Sequence, residues 1–191
     1  GMLPPMGGPG SIVEVDETYF GETEEAKAER KKGQRRKHSR HANRAVVALI
    51  ERGASARVFH VEAAKKEILA KLITENVHPA SRLHTDESNL YTGADAHVAK
   101  HETVKHSSRE YARDDVNTNS AEGFFGVFKR GMKGVYQHCG EQHLKRYVVE
   151  FEFRHNTRTK LGFTDGERAA LAVKGAAGKR LTLRKPQGQA A

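Results

Sequence analysis

Cysteine occurs once in the 191 residues, at Cys139. A lone thiol can neither close a disulfide within the chain nor furnish a Cys-rich zinc ribbon, and it fits a reducing cytoplasm. No run of 18 apolar residues is present, so no segment reads as a membrane-spanning helix. Residues 1–10, GMLPPMGGPG, lack both a basic region and an apolar h-region. Their Gly and Pro content reads as a linker or an added remnant, not as a signal peptide. Acids are missing from residues 30–44, where Arg30, Lys31, Lys32, Arg35, Arg36, Lys37, Arg40 and Arg44 stand with His38 and His41. Eight cations in fifteen residues repel one another, and such a block points to a polyanion, here nucleic acid. A solvated charged loop is the plainer alternative. The net charge of +9 leans the same way.

What is present suffices for one sizeable core, with 37% hydrophobic residues. Val13 and Val15 alternate with Glu14 and Asp16 in SIVEVDETYF, which is strand spacing, and a first strand is expected over 12–20. The acidic lead-in at 22–29 is expected as a short helix or an arm. RAVVALIERG (44–53) reads as a second strand with Gly53 opening a turn, and ARVFHVE (56–62) as its hairpin partner. Ile68, Leu69, Leu72 and Ile73 share a helical face within 63–77, before Pro79. SRLHTDES (81–88) reads as a short strand, followed by a small helix (89–99) and a strand (101–106). Two helices follow, at 120–136 and 141–154, joined at Gly140. Residues 161–191 read as a basic tail. The order predicts an α/β fold, a mixed sheet with helices on both faces.

Three acids draw attention within this frame. A carboxylate embedded in a strand, as Asp16 is, costs desolvation energy unless something pairs with it. Asp86 ends its own predicted strand; if the first and fourth strands are neighbours, both aspartates converge at one edge of the sheet. Strand-end aspartates also form turns, the duller account. Glu122 follows Asp86 after a gap of 35 residues. With Asn119 as N-cap, Glu122 falls where a capping-box glutamate reaches back. At about 100° per residue, however, Glu122, Gly126, Lys129 and Lys133 share one stripe beside an apolar face of Phe125, Phe128, Met132 and Val135. An acid, a glycine and two lysines make a surface suited to phosphate. Glu122 and Lys129 are too far apart in sequence to be a simple i,i+4 pair.

VEVDETYFG, LHTDES and NSAEGFFGVFKRGMKGVYQH, followed by HLKRYVVEFEFRHNTR, closely resemble the catalytic domain of DDE transposases of prokaryotic insertion sequences, the ISXO type. The resemblance covers residues 11–160, with the basic block as an insert at about 22–44. It implies an RNase H-like fold: a five-stranded mixed sheet, its first three strands antiparallel, flanked by helices. It also implies that Asp16, Asp86 and Glu122 are the catalytic triad and ligate two Mg²⁺ or Mn²⁺ ions, with Lys129 as a basic residue on the same helix. Three hard oxygen donors suit those ions, which keep open positions for water and phosphate. The implied activity is cleavage and strand transfer of double-stranded DNA, at the insertion-sequence ends and at the target, by a homo-oligomeric complex without a membrane partner.

Strand alternation turns Glu17 and Glu87 away from the aspartates, so neither is expected as a ligand. His97 and His101 are four apart, and His138, Cys139 and His143 cluster, but no further cysteine or HExxH pattern accompanies them. Arg154, His155 and Asn156 end a helix, where they either compensate its dipole or meet a DNA backbone. Family members carry an upstream DNA-recognition region that nothing before Ser11 supplies, so the chain reads as an excised catalytic core or a degenerate partial copy, expected to bind DNA without choosing its site. Two other readings compete: an RNase H-like nuclease or resolvase without strand transfer, and a non-catalytic basic domain that binds nucleic acid.

Overall fold

The computed structural model describes residues 3–32, 43–104 and 115–179, which fall into two compact units, residues 1–156 and 157–191. In the first unit, five strands make one sheet in the order β3-β2-β1-β4-β5: β1 (Ile12–Glu22), β2 (Asn43–Glu51), β3 (Ala56–Val61), β4 (Arg82–Asp86) and β5 (Lys100–Val104). β1, β2 and β3 pair antiparallel, whereas β4 runs parallel to β1 and β5 parallel to β4. The first and fourth strands are therefore neighbours, and the sheet changes direction at β1.

Burial on both faces explains the composition of β2. Residues 45–50, AVVALI, are all buried, and side chains alternate between two cores. Ala45, Val47 and Leu49 join Val13, Val15 and Leu83 against Leu69 and Ile73 of α2 (Lys66–Asn76). Val46, Ala48 and Ile50 face Phe124, Phe125, Phe128 of α3 (Asn119–Gly131) and Leu144, Val148, Phe151 of α4 (Glu141–Asn156). Helix α1 (Glu24–Lys31) follows β1 and opens with the Thr23 hydroxyl accepting from the Ala26 N–H. So the acidic lead-in is helical.

Several local expectations differ from the structure. Residues 6–8 are not a linker: Met6 is buried, bridges to Val77, and exchanges backbone bonds with Asn76 and His78. Gly7 sits there with φ 87°, and an added Cβ would lie 2.3 Å from the Ser81 hydroxyl, so the close approach needs glycine. The helix expected over 89–99 is two 3₁₀ turns, Asn89–Tyr91 and Ala94–His97. Beyond Gly131, α3 widens into a π-turn, Met132–Tyr136. That turn keeps Met132 in the core but leaves Val135 75% exposed, off the apolar face expected for it. In the second unit, α5 (Asp165–Ala176) replaces the expected tail, closed by a capping box between Thr164 and Glu167.

Edge strand β3 is protected from one side by α4. The Glu152 carboxylate accepts from the Val58 N–H at 2.8 Å, and the Asn156 amide both accepts from Ala56 N–H and donates to its carbonyl. Two polar side chains one helical turn apart thus satisfy the edge as a sixth strand would. This is the work of Asn156. Arg154 makes an i,i+4 pair with Glu150, and His155 packs edge-on to Phe124.

Candidate active site

Pairing register decides which way the acids point. Glu14 opposes Ile50 and Asp16 opposes Ala48, and residues directly opposite on antiparallel strands share a face. Ile50 and Ala48 belong to the core beneath α3, so Glu14 and Asp16 face α3. In the parallel pair, Glu14 stands beside His84, where the pairing ends. Carrying the register on by two residues brings Asp16 level with Asp86, at the opening between two parallel strands. Such an opening, outside the carboxyl ends of parallel strands at the point where strand order reverses, is where α/β folds commonly bind ligands.

Asp16 is half-buried, and its Oδ1 accepts from the Glu17 N–H at 2.8 Å. Its carboxyl is raised from 3.8 to about 7, first by desolvation, then by the charges of Glu17, Asp86 and Glu122. The strand carboxylate thus meets like charges. Asp86 caps the turn that follows β4, its Oδ1 accepting from the Ser88 N–H. Glu122 is exposed on the first turns of α3, its Oε1 accepting from the Thr118 hydroxyl at 3.4 Å. Thr118, not Asn119, is the N-cap, so Glu122 lies one position beyond a capping-box glutamate. Glu17 points to the other face, where the Tyr91 hydroxyl donates to it at 2.6 Å. Glu87, Tyr91, His101 and Thr103 line a cleft of about 200 Å³.

The expected cations divide three ways. Lys129 continues along α3 from Glu122 and is half-buried, whereas Lys133 is exposed on the π-turn that follows the helix. Seven residues of helix put Lys129 about 10 Å along the axis on nearly the same face as Glu122. Lys31 and Lys32 are exposed at the end of α1, which also carries Arg30. Arg35, Arg36, Lys37 and Arg40 lie outside the described residues. Arg44 does not belong to a DNA-facing set: it is 3% exposed, and its guanidinium donates to the carbonyls of Glu22 and Cys139. A cation that ends a strand under a loop satisfies carbonyls instead of phosphates.

Among the described residues, no three His, Cys, Asp or Glu side chains stand close enough together to hold one ion. The donor set still suits a hard cation. Mg²⁺ is usually held by one or two carboxylates, with substrate phosphates and water filling its shell. A carboxylate raised by its neighbours' charges is also the group a cation would relieve.

Sequence reasoning leaves Glu14 and Arg52 without a role. Glu14 is fully buried. Its carboxylate accepts from the N–H and hydroxyl of Ser120, from the Ala121 N–H and from Arg52 Nε. Its signal in the sequence is a second acid two residues before Asp16, hence on the same face of β1.

A family model described as an ISXO2-like transposase domain matches residues 7–156, from the buried start of the chain to the asparagine that ends α4. Comparison with curated proteins found no match. The matched span contains every strand of the sheet, all three acids and the helix that carries Glu122, and the chain belongs to the family of ISXO2-like transposase domains.

Proposed function

We propose that the chain is the catalytic core of a DDE transposase, which cleaves insertion-sequence DNA and joins its 3′ end to a target by phosphoryl transfer. The observation that supports this reading is that Asp16, on the face of β1 turned to α3 and just past the last β1–β4 pair, feels the charges of both Asp86 and Glu122. Asp16, Asp86 and Glu122 would hold Mg²⁺ or Mn²⁺, and a pair of such ions would supply activation of the attacking oxygen and stabilisation of the leaving one. The protein's own contribution is positioning and charge, because phosphoryl transfer needs little covalent help. Lys129, further along α3, and Lys133, on the π-turn after it, offset the negative charge of the DNA strand that reaches the acids. In nicking, water attacks the phosphorus and the strand's 3′-hydroxyl leaves; in strand transfer, that 3′-hydroxyl attacks a target phosphodiester and the target strand's own 3′-oxygen leaves. The partner is double-stranded DNA, and two element ends brought together call for more than one copy of the domain.

A strand-transfer assay with a pre-cut 3′-OH end and Mg²⁺ tests this. Joined products are expected, and Asp16→Asn, Asp86→Asn and Glu122→Gln should each abolish them while preserving the fold. Hydrolysis without joining would indicate an RNase H-like nuclease, and near-normal joining by any one variant would remove that residue from the triad.

A further inference from the structure

Helix α3 carries Glu122, yet its N-cap residue, Thr118, makes no side-chain cap. The first N–H groups of a helix have no partner within it and need one from elsewhere. Here the partner comes from the sheet. Glu14 Oε2 accepts from the N–H groups of Ser120 and Ala121 at 2.7 and 3.1 Å, and its Oε1 accepts from the Ser120 hydroxyl at 2.9 Å. Arg52, just past the end of β2, donates to Oε1 from the other side at 2.8 Å. The same guanidinium donates to the carbonyls of Asp115 and Asn117 and to the Asn117 side chain. Asp115 is further gripped by Arg82 of β4 through two hydrogen bonds of 2.6 and 3.0 Å. The entry to α3 is thus tied to β1, β2 and β4 by charged groups.

We infer that Glu14 is a positioning residue: it fixes the start of α3 to β1 and thereby sets where Glu122 stands relative to Asp16. Glu14 lies two residues before Asp16 on the same face of the strand, and its bonds end at Ala121, the residue before Glu122. Strand and helix are joined at one point, and each acid leaves that point after one or two residues. An error of the helix start therefore passes directly to Glu122. A carboxylate accepting backbone N–H groups makes strong, charge-assisted bonds, and it also suits the positive end of the helix dipole. Its bonds lie where placement matters most.

The functional half of this inference rests on the reading of Asp16, Asp86 and Glu122 as one metal site, so the test uses two readouts. In a Cys139→Ser background, spin labels at Gly126→Cys on α3 and Lys100→Cys on β5 report the helix position by pulsed EPR without metal. Mn²⁺ affinity is measured separately by calorimetry on the unlabelled protein, well below the melting temperature. Glu14→Ala should widen or shift the distance distribution and weaken Mn²⁺ binding at least tenfold. Glu14→Gln, which keeps one acceptor, should fall between, and Ser120→Ala provides a milder variant that removes only the hydroxyl bond. An unchanged distance in Glu14→Ala would overturn the inference, whatever the metal does. A shifted distance with wild-type Mn²⁺ affinity would also overturn it, leaving Glu14 a purely structural anchor. If Asp16→Asn binds Mn²⁺ as well as the wild type, the metal-site reading fails, and a shifted distance would still establish that Glu14 anchors α3.

Discussion

Asp16 carries a charge that works against the fold around it. Desolvation and three neighbouring carboxylates raise it to about 7, from 3.8. With the folded value above the unfolded one, the native state holds the proton more tightly, so stability declines as pH rises from about 4 towards 7. The full penalty is present above pH 7 and is on the order of 4 kcal/mol. Asp16→Asn is therefore expected to melt higher than the wild type at pH 8 and to show no advantage near pH 4. Calorimetry at both pH values checks this, and equal melting at pH 8 would mean that Asp16 is not strained. The pattern of acids is legible in the sequence because strand alternation and the 35-residue gap do not depend on packing. The role of Glu14 is not, because nothing local tells a buried carboxylate that holds a distant helix from an exposed one. Arg44 misleads for the same reason: it ends a run of cations but lies in a strand beneath residues 139 and 22.

At the scale of elements, α4 does two jobs. One face packs Leu144, Val148 and Phe151 into the core, and Glu152 and Asn156 reach the backbone of β3. Helix α3 lies so near that a Cβ on Gly131 would stand 2.5 Å from the Phe151 ring. Asn156→Ala leaves the N–H and carbonyl of Ala56 without these bonds, and leaving buried polar groups unsatisfied costs about 1–3 kcal/mol. A urea midpoint lowered accordingly is expected, together with greater aggregation because the edge is uncovered; an unchanged midpoint would show that water replaces the asparagine. Strand order, hairpin and long helices follow from periodicity, since apolar faces must be buried. Helix α5 escapes a sequence reading although Thr164 and Glu167 spell a capping box, because its alanine-rich composition resembles a tail. The part played by Asn156 is beyond reach, because its partner lies 100 residues away.

For the whole molecule, charge sets the expected mode of DNA binding. The exposed cations described on the first unit, Lys31, Lys32 and Lys133 among them, suit phosphates, and phosphate contacts position a duplex without reading its bases. Binding is expected to be micromolar or weaker at near-physiological salt, with little preference between terminal-repeat and scrambled duplex of equal length. Lys129→Ala with Lys133→Ala should weaken both alike and flatten the log–log salt slope by roughly 0.9 for each phosphate that is no longer neutralised. A preference of a hundredfold for the repeat, about 3 kcal/mol, would show that the domain reads sequence itself. The family match and the element order agree, and together they make the sheet of the first unit the frame on which everything else depends.

On the proposed function, Asp16, Asp86 and Glu122 form one divalent-metal site. Anomalous diffraction from crystals grown with Mn²⁺ tests it most directly. A manganese peak is expected at the opening between β1 and β4, within coordination distance of carboxylate oxygens from Asp16 and Asp86, with Glu122 drawn to the same ion or to a second one beside it. Manganese bound elsewhere, with the three acids left apart, would contradict it.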